Sequence, residues 1–265
     1  MPAGKKQSRP AGSSQFPDAD FERIFHPESI AILGVSSDEN AVGFGTGMLR
    51  VLKEMGFEGR IYPVNPRGGS VFGQKIYTRV EDIPEKVDFA VIAVAAKLVP
   101  QALEDCLKIG VAGAEILSSG FSELGTKEGL ELENEICEIA SRGIRVVGPN
   151  CFGIYCPRSG LTMLPGPDLT RQSGSVAFVA QSGGMAIDFA HAGEWRGIRF
   201  SKMVSLGNGA DLREAELLNY LAGDRETEVI SMYIEGIKDS DVFFRELKAA
   251  AAHKPVIIFK GGLSK

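Results

Sequence analysis

Three things are scarce in this sequence, and each shortage excludes a class of protein. Cysteine is rare: Cys106, Cys137, Cys151 and Cys156 are the only four. They form no CxxC pair and follow no secretory leader, which argues against a disulfide scaffold and fits reduced thiols in a cytoplasm. Histidine is rarer, with His26, His191 and His253 alone. Cys151 and Cys156 have no second pair to complete a ligand set, so no metal site is expected. Cations are not in surplus, since the formal net charge is −5. Nothing is left over to neutralise a phosphate backbone, so nucleic acid is not an expected partner and any anion must be held locally. The longest apolar run, Phe89 to Ala96, falls far short of the roughly 20 residues a membrane helix needs, and no membrane partner is expected.

What is present is a rhythm. Residues 1–17, rich in Pro, Gly, Ser and basic side chains, read as a disordered tail. From Ser29 onward short apolar runs (SIAILGVS, VDFAVIAVA, AGAEILSSG, IRVVGPN) alternate with helical patterns such as LVPQALEDCLKIG, where Leu103, Cys106, Leu107 and Gly110 form one stripe. Strands apolar almost throughout belong in a parallel sheet covered on both faces, so the fold class is α/β. Residues 18–150 form the first domain. Residues 151–172, broken by three prolines and three glycines, form a crossover. Residues 173–265 restart the alternation with four strands and three helices and stop short of a complete domain.

Chemistry is expected where strands end in small residues. Gly34 stands nine residues before the Gly43, Gly45, Gly47 cluster, too far for the dinucleotide fingerprint. The second strand ends in Val64-Asn65-Pro66-Arg67 without the acid that would bind a ribose. Both features argue against a third reading, an NAD-binding redox regulator. Arg67 before Gly68-Gly69 suits a phosphate group, or is an idle surface arginine. Gln181, Ser182, Gly183 and Gly184 open a helix and offer amides to an anion, or Ser182 is a plain N-cap with a glycine packed beneath the helix. Glu235 ends a strand as a catalytic carboxylate or a solvated one. Cys151, at a strand end, invites a nucleophile reading.

The ordered run FERIFHPESIAILGVSS, YPVNPRGG, VDFAVIAVAAKLVPQAL, ILSSGFSE, VVGPNCFGI, VAFVAQSGG, VSLGNGADL and KPVIIFKGG resembles the α part of NDP-forming acyl-CoA synthetases, the ADP-forming acetate-CoA ligases and succinyl-CoA synthetase. The resemblance implies a Rossmann-type CoA-binding domain followed by a flavodoxin-like domain that is truncated at its C-terminus. It implies the reaction acyl-CoA + phosphate + NDP = acid + CoA + NTP, through an acyl phosphate and a phosphohistidine. Coenzyme A, as substrate, would be held by Gly34, Ser36, Ser37, Asn65, Pro66, Arg67, Ser118, Ser119, Gly120 and Asn150. Ala95 and Ala96 replace the family's Val-Pro-Ala, which loosens the third CoA turn. Gln181 to Gly184 would cradle phosphate, and Glu235 would support the histidine. That histidine belongs to a loop expected beyond Lys265, since His26, His191 and His253 lie elsewhere. Mg-NTP or NDP would bind only through an ATP-grasp domain or subunit not in this chain, which by itself is expected to be inactive and to work within an oligomer. The competing reading is a non-catalytic CoA or acyl-CoA sensing module, like the similar region of some protein acetyltransferases. Met163 and Leu164 in the crossover are expected to line the acyl pocket.

Overall fold

The computed structural model describes residues 20–164 and 169–262. The expected tail at residues 1–17 lies outside them. A short helix, α1 (Phe21–Phe25), leads into β1 (Ser29–Leu33), α2 (Phe44–Glu54), β2 (Arg60–Val64), β3 (Gly69–Val71), β4 (Gln74–Ile76), β5 (Phe89–Ile92), α3 (Val99–Lys108), β6 (Gly113–Ile116), α4 (Lys127–Ala140) and β7 (Arg145–Val147). The main sheet has the order β2-β1-β5-β6-β7 and is parallel throughout. All residues of β1, β5, β6 and β7 are buried, which is why these strands read as mostly apolar runs, interrupted only by Ser29, Glu115 and Arg145.

The hairpin of β3 and β4 carries no strong sequence signal, because its turn is Phe72-Gly73 rather than Asn-Gly. Both residues take positive φ, 46° and 73°, as a tight hairpin turn requires. Phe72 is held there by its amide donating to Glu39 Oε1 at 2.7 Å and by the Lys53 ammonium 5.5 Å from its ring.

The second domain runs β8 (Gly153–Tyr155), β9 (Val176–Ala180), α5 (Gly183–Trp195), β10 (Phe200–Ser205), α6 (Glu214–Gly223), β11 (Val229–Ile234), α7 (Ser240–Ala251) and β12 (Val256–Lys260). Its order is β12-β11-β9-β10-β8, so four parallel strands repeat the winding of the first sheet. β8 is the difference from expectation. It arises inside the crossover and pairs antiparallel with β10, Ile154 opposite Val204. Three residues, the first of them a glycine at φ 94°, are too few to display a period.

Residues of β9 alternate between two cores. Ala177 and Val179 face α6 and α7, while Phe178 and Ala180 face α5. The first of these cores is continuous with that of domain one, joining Ile30, Met48 and Leu52 to Ile154, Leu217 and Leu221. Phe25 stacks on Tyr220 with centroids 5.1 Å apart. The domains therefore share a buried apolar junction, which suppresses the relative motion that polar interfaces permit.

β7 would be an exposed edge, but the loop after β10 covers it. Amides of Leu212, Ala210 and Asn208 donate to the carbonyls of Val146, Gly148 and Pro149 at 3.0, 2.9 and 2.9 Å. Arg145, in β7, is 4 % exposed and forks onto Asp211 and Glu216 of the second domain.

Candidate functional site

Both sheets reverse direction between their first and third strands, so each has a switch-point crevice at its carboxyl edge, where doubly wound folds place ligands. In the first sheet the crevice lies between β1 and β5. Gly34, at the end of β1, has φ 101°, and a Cβ there would lie 2.4 Å from the Ala93 carbonyl oxygen. Gly45 is equally constrained, since its Cβ would meet Gly34 O at 2.5 Å. Glycine at these two positions lets α2 sit directly on the strand end. Gly34→Ala is expected to cost about 2 kcal/mol from backbone strain alone, readable as a lower urea midpoint with an unchanged m value.

Asn65 clamps the second turn to the first. Its Nδ2 donates to Val35 O at 2.9 Å, and its Oδ1 accepts from Arg67 N at 2.9 Å. Ser36 is engaged locally, its amide donating to Thr46 Oγ1 and its Oγ accepting from Asp38 N. Ser37, Pro66 and Arg67 are exposed, and the Arg67 guanidinium has no partner among the described residues. Further along the edge, Ser118 Oγ donates to Val94 O, and Gly120, at φ 116°, lies against Ala96. Ser119 is exposed. Asn150, a non-glycine at φ 57°, donates its amide to Ser118 O at 2.9 Å. The residues expected to hold CoA thus share one rim, in two clusters joined along the sheet edge.

At the second switch point, between β9 and β11, the Gln181 side chain bridges the strand ends. Its Oε1 accepts from the amides of Glu235 and Gly236 at 2.6 and 2.9 Å, while its Nε2 donates to Gly236 O and to Glu214. The side chain is a clasp with its hydrogen bonds already spent. Ser182 caps α5, accepting from Met185 N at 3.4 Å. Gly183 packs on Phe152, whose ring would lie 2.9 Å from a Cβ. The first-turn amides of Gly183 and Gly184 have no intrahelical acceptor and point, with the positive helix end, into the same crevice edge. Glu235 is exposed beside them, and Lys260 Nζ donates to its carbonyl at 2.8 Å.

The two edges meet where Asn208 packs against Pro149 and Asn150, a contact that sequence reading misses. Glu123 belongs to the same knot, its Oε1 accepting from the amides of Gly120 and Phe121 at 2.6 and 3.1 Å. Burial alone would raise this carboxyl, but the Asn208 amide and the turn amides hold it below the usual range. Only the tripeptide GNG, turn-like in composition, hints at the first of these residues.

The remaining candidates fall away from the crevices. His26 is 3.5 Å from Glu226, and burial lowers its pKa. His191 lies in α5, about 12 Å along the helix from Gly183 at 1.5 Å per residue; its Nε2 is buried without a partner. His253 follows α7 on the surface. Cys151 is 2 % exposed, donates to Ile116 O at 3.3 Å, and burial pushes its thiol well above the ordinary range. That closes the nucleophile reading, because the thiolate is the reactive form. Met163 is fully buried in the second core instead of lining a pocket. Leu164 lies over α2, with its methyls 3.8 Å from where a Gly47 Cβ would stand. Among the described residues no group of three metal-ligating side chains forms.

Residues 28–157 match the CoA binding domain family, and residues 173–265 match the succinyl-CoA ligase like flavodoxin domain family. Each of the two domains is thus similar to a different family, and neither match alone spans half of the chain. The chain is 40% identical over 246 residues to ADP-forming acetate-CoA ligase I of Archaeoglobus fulgidus, covering 92% of this chain and 35% of that one. It is 39% identical over 250 residues to the alpha subunit of ADP-forming acetate-CoA ligase I of Pyrococcus furiosus, covering 92% and 53%. Among solved structures, the acetyl-coenzyme A synthetase 1 of Ca. Korarchaeum cryptofilum in complex with phosphate and ADP matches with a TM-score of 0.84 and 39% identity, over 92% of this chain and 52% of that one. The chain therefore spans about a third to a half of these relatives' length.

Proposed function

We propose that this chain is the CoA-binding and phosphate-docking part of an NDP-forming acyl-CoA synthetase. Coenzyme A lies along the rim from Gly34, Ser36 and Ser37 through Asn65, Pro66 and Arg67 to Ser118, Ser119, Gly120 and Asn150. Phosphate docks on the amides of Gly183 and Gly184 with Ser182, while Gln181 shapes that crevice by fixing Glu235. The observation that carries this reading is that two switch-point crevices, one per domain, are joined at their carboxyl edges through the contact of Asn150 with Asn208. An acyl group on CoA held by one edge can therefore reach phosphate held by the other.

None of His26, His191 or His253 stands at the phosphate turn, so the phosphoryl-accepting imidazole and the nucleotide site come from elsewhere, an ATP-grasp domain or subunit being the partner. Four free thiols suit a reducing compartment, the cytoplasm, and no helix among the described residues is long and apolar enough to cross a membrane. Calorimetric titration of the chain with CoA, acetyl-CoA and NADH tests the reading. Heat from CoA with none from NADH is expected, and Arg67→Ala should weaken CoA by about tenfold, the worth of one charge-assisted contact. Heat from NADH with none from CoA ends it.

A further inference from the structure

Asn208 lies outside every residue assigned above to CoA or phosphate, yet it joins the two edges. Its amide N–H donates to Pro149 O at 2.9 Å, and its Oδ1 accepts from Asn150 Nδ2 at 3.4 Å. Its Nδ2 donates to Glu123 Oε2 at 2.6 Å and to Glu133 Oε2 at 2.7 Å. Chemistry fixes this amide orientation: carboxylates only accept, so the nitrogen must face them. Both side-chain hydrogens of Asn208 are therefore used to hold two carboxylates side by side. Glu133 is 6 % exposed and is also bound by Ser122 Oγ at 2.6 Å, which makes it the fixed member. Glu123 is the member that passes the constraint on, through its bonds to the Gly120 and Phe121 amides. On the other side, Lys238 Nζ donates to Asn208 O at 3.3 Å, tying the same turn to the loop that follows Glu235.

We propose that Asn208 is a positioning residue: acting from the flavodoxin-like domain through Glu123, it sets the conformation of the Ser118–Gly120 turn in the CoA binding domain. The consequence for CoA rests on the reading of that rim given above. Gly120 is at φ 116°, and its amide is held by the Glu123 carboxylate at 2.6 Å. Without the Asn208 amide, Glu123 and Glu133 face each other unshielded and repel, and Glu123 is driven off the turn.

Hydrogen exchange of the free chain tests the positioning role independently of CoA. In Asn208→Ala, amides of residues 118–123 are expected to exchange about tenfold faster while β9 and β11 keep their protection, a local opening distinct from global unfolding. Glu123→Ala, which severs only the second link, should show the same signature, and the double variant should be no faster than either single, as residues acting through one path are not additive. CoA affinity, by titration, should fall about tenfold in both singles, each having lost the same turn geometry. Unchanged exchange at 118–123 in Asn208→Ala, or additive acceleration in the double variant, overturns the proposal. Wild-type chain that gives no heat with CoA overturns the ligand reading instead, and the exchange result then still decides the positioning role.

Discussion

Replacing Arg145 with alanine is expected to lower the stability of the whole chain by about 3–5 kcal/mol, the cost of leaving buried charges unpaired. Arg145 Nε donates to Asp211 Oδ2 at 2.9 Å, and Nη1 and Nη2 donate to Glu216 at 2.6 and 2.9 Å. The three side chains are 4 %, 16 % and 6 % exposed. Burial already lifts the Glu216 carboxyl above the usual range despite its partner, so without the guanidinium it must protonate or draw in water. Asp211 Oδ2 also accepts from Val146 N at 2.8 Å, which couples the loss to the cover over β7. Because the pair spans the domains, unfolding should remain one transition at a lower urea midpoint. Arg145→Met combined with Asp211→Asn and Glu216→Met should recover most of the loss, since removing every charge at once leaves none stranded. A single Arg145→Ala variant within about 1 kcal/mol of wild type would show that water screens this cluster.

The second large effect is a pH dependence at Glu115. This carboxyl, in β6, is wholly buried and lies where a Cβ on Gly153 would stand 2.7 and 2.8 Å from its oxygens. It accepts one bond, from Ile154 N at 3.0 Å, and Cys151, a thiol kept protonated, is its titratable neighbour. Burial pushes its pKa from the usual 4.5 up to about 8, a rise the Ile154 bond only partly opposes. The folded chain thus keeps a proton that the unfolded chain releases near pH 4.5. Stability contributed by the protonated group is full below that pH, falls as pH rises through the window, and levels off above about 8. Glu115→Gln keeps an oxygen for Ile154 N and abolishes the titration. Relative to that variant, wild type should lose on the order of 2–4 kcal/mol between pH 5 and pH 8, at up to about 1.4 kcal/mol per pH unit. Parallel denaturation curves of the two proteins across that range would refute the assignment.

Much of the architecture is legible because it depends on neighbours in sequence. Strands apolar almost throughout imply sheets covered on both faces. The Leu103 and Cys106 stripe marks the buried side of α3, where both residues are 0 % exposed. Glycine turns mark the carboxyl edges, since a positive φ or a backbone contact selects glycine whatever lies far away. The same locality hides β8 and the Phe72-Gly73 hairpin, which are too short to show a period.

The site divides along the same line. Small residues at strand ends, and a serine opening α5, are local features, so the sequence alone marks the carboxyl edges of the two sheets. What those side chains do with their hydrogen bonds was decided only by tertiary structure. Gln181 spends its amide on Glu235 and Gly236, 54 and 55 residues away. Asn208 reaches Glu123 across 85 residues, Arg145 reaches Asp211 across 66, and Glu115 reaches Ile154 across 39. A polar residue's partner is whichever group the fold brings within 3 Å, and no periodicity or spacing along the chain encodes that distance.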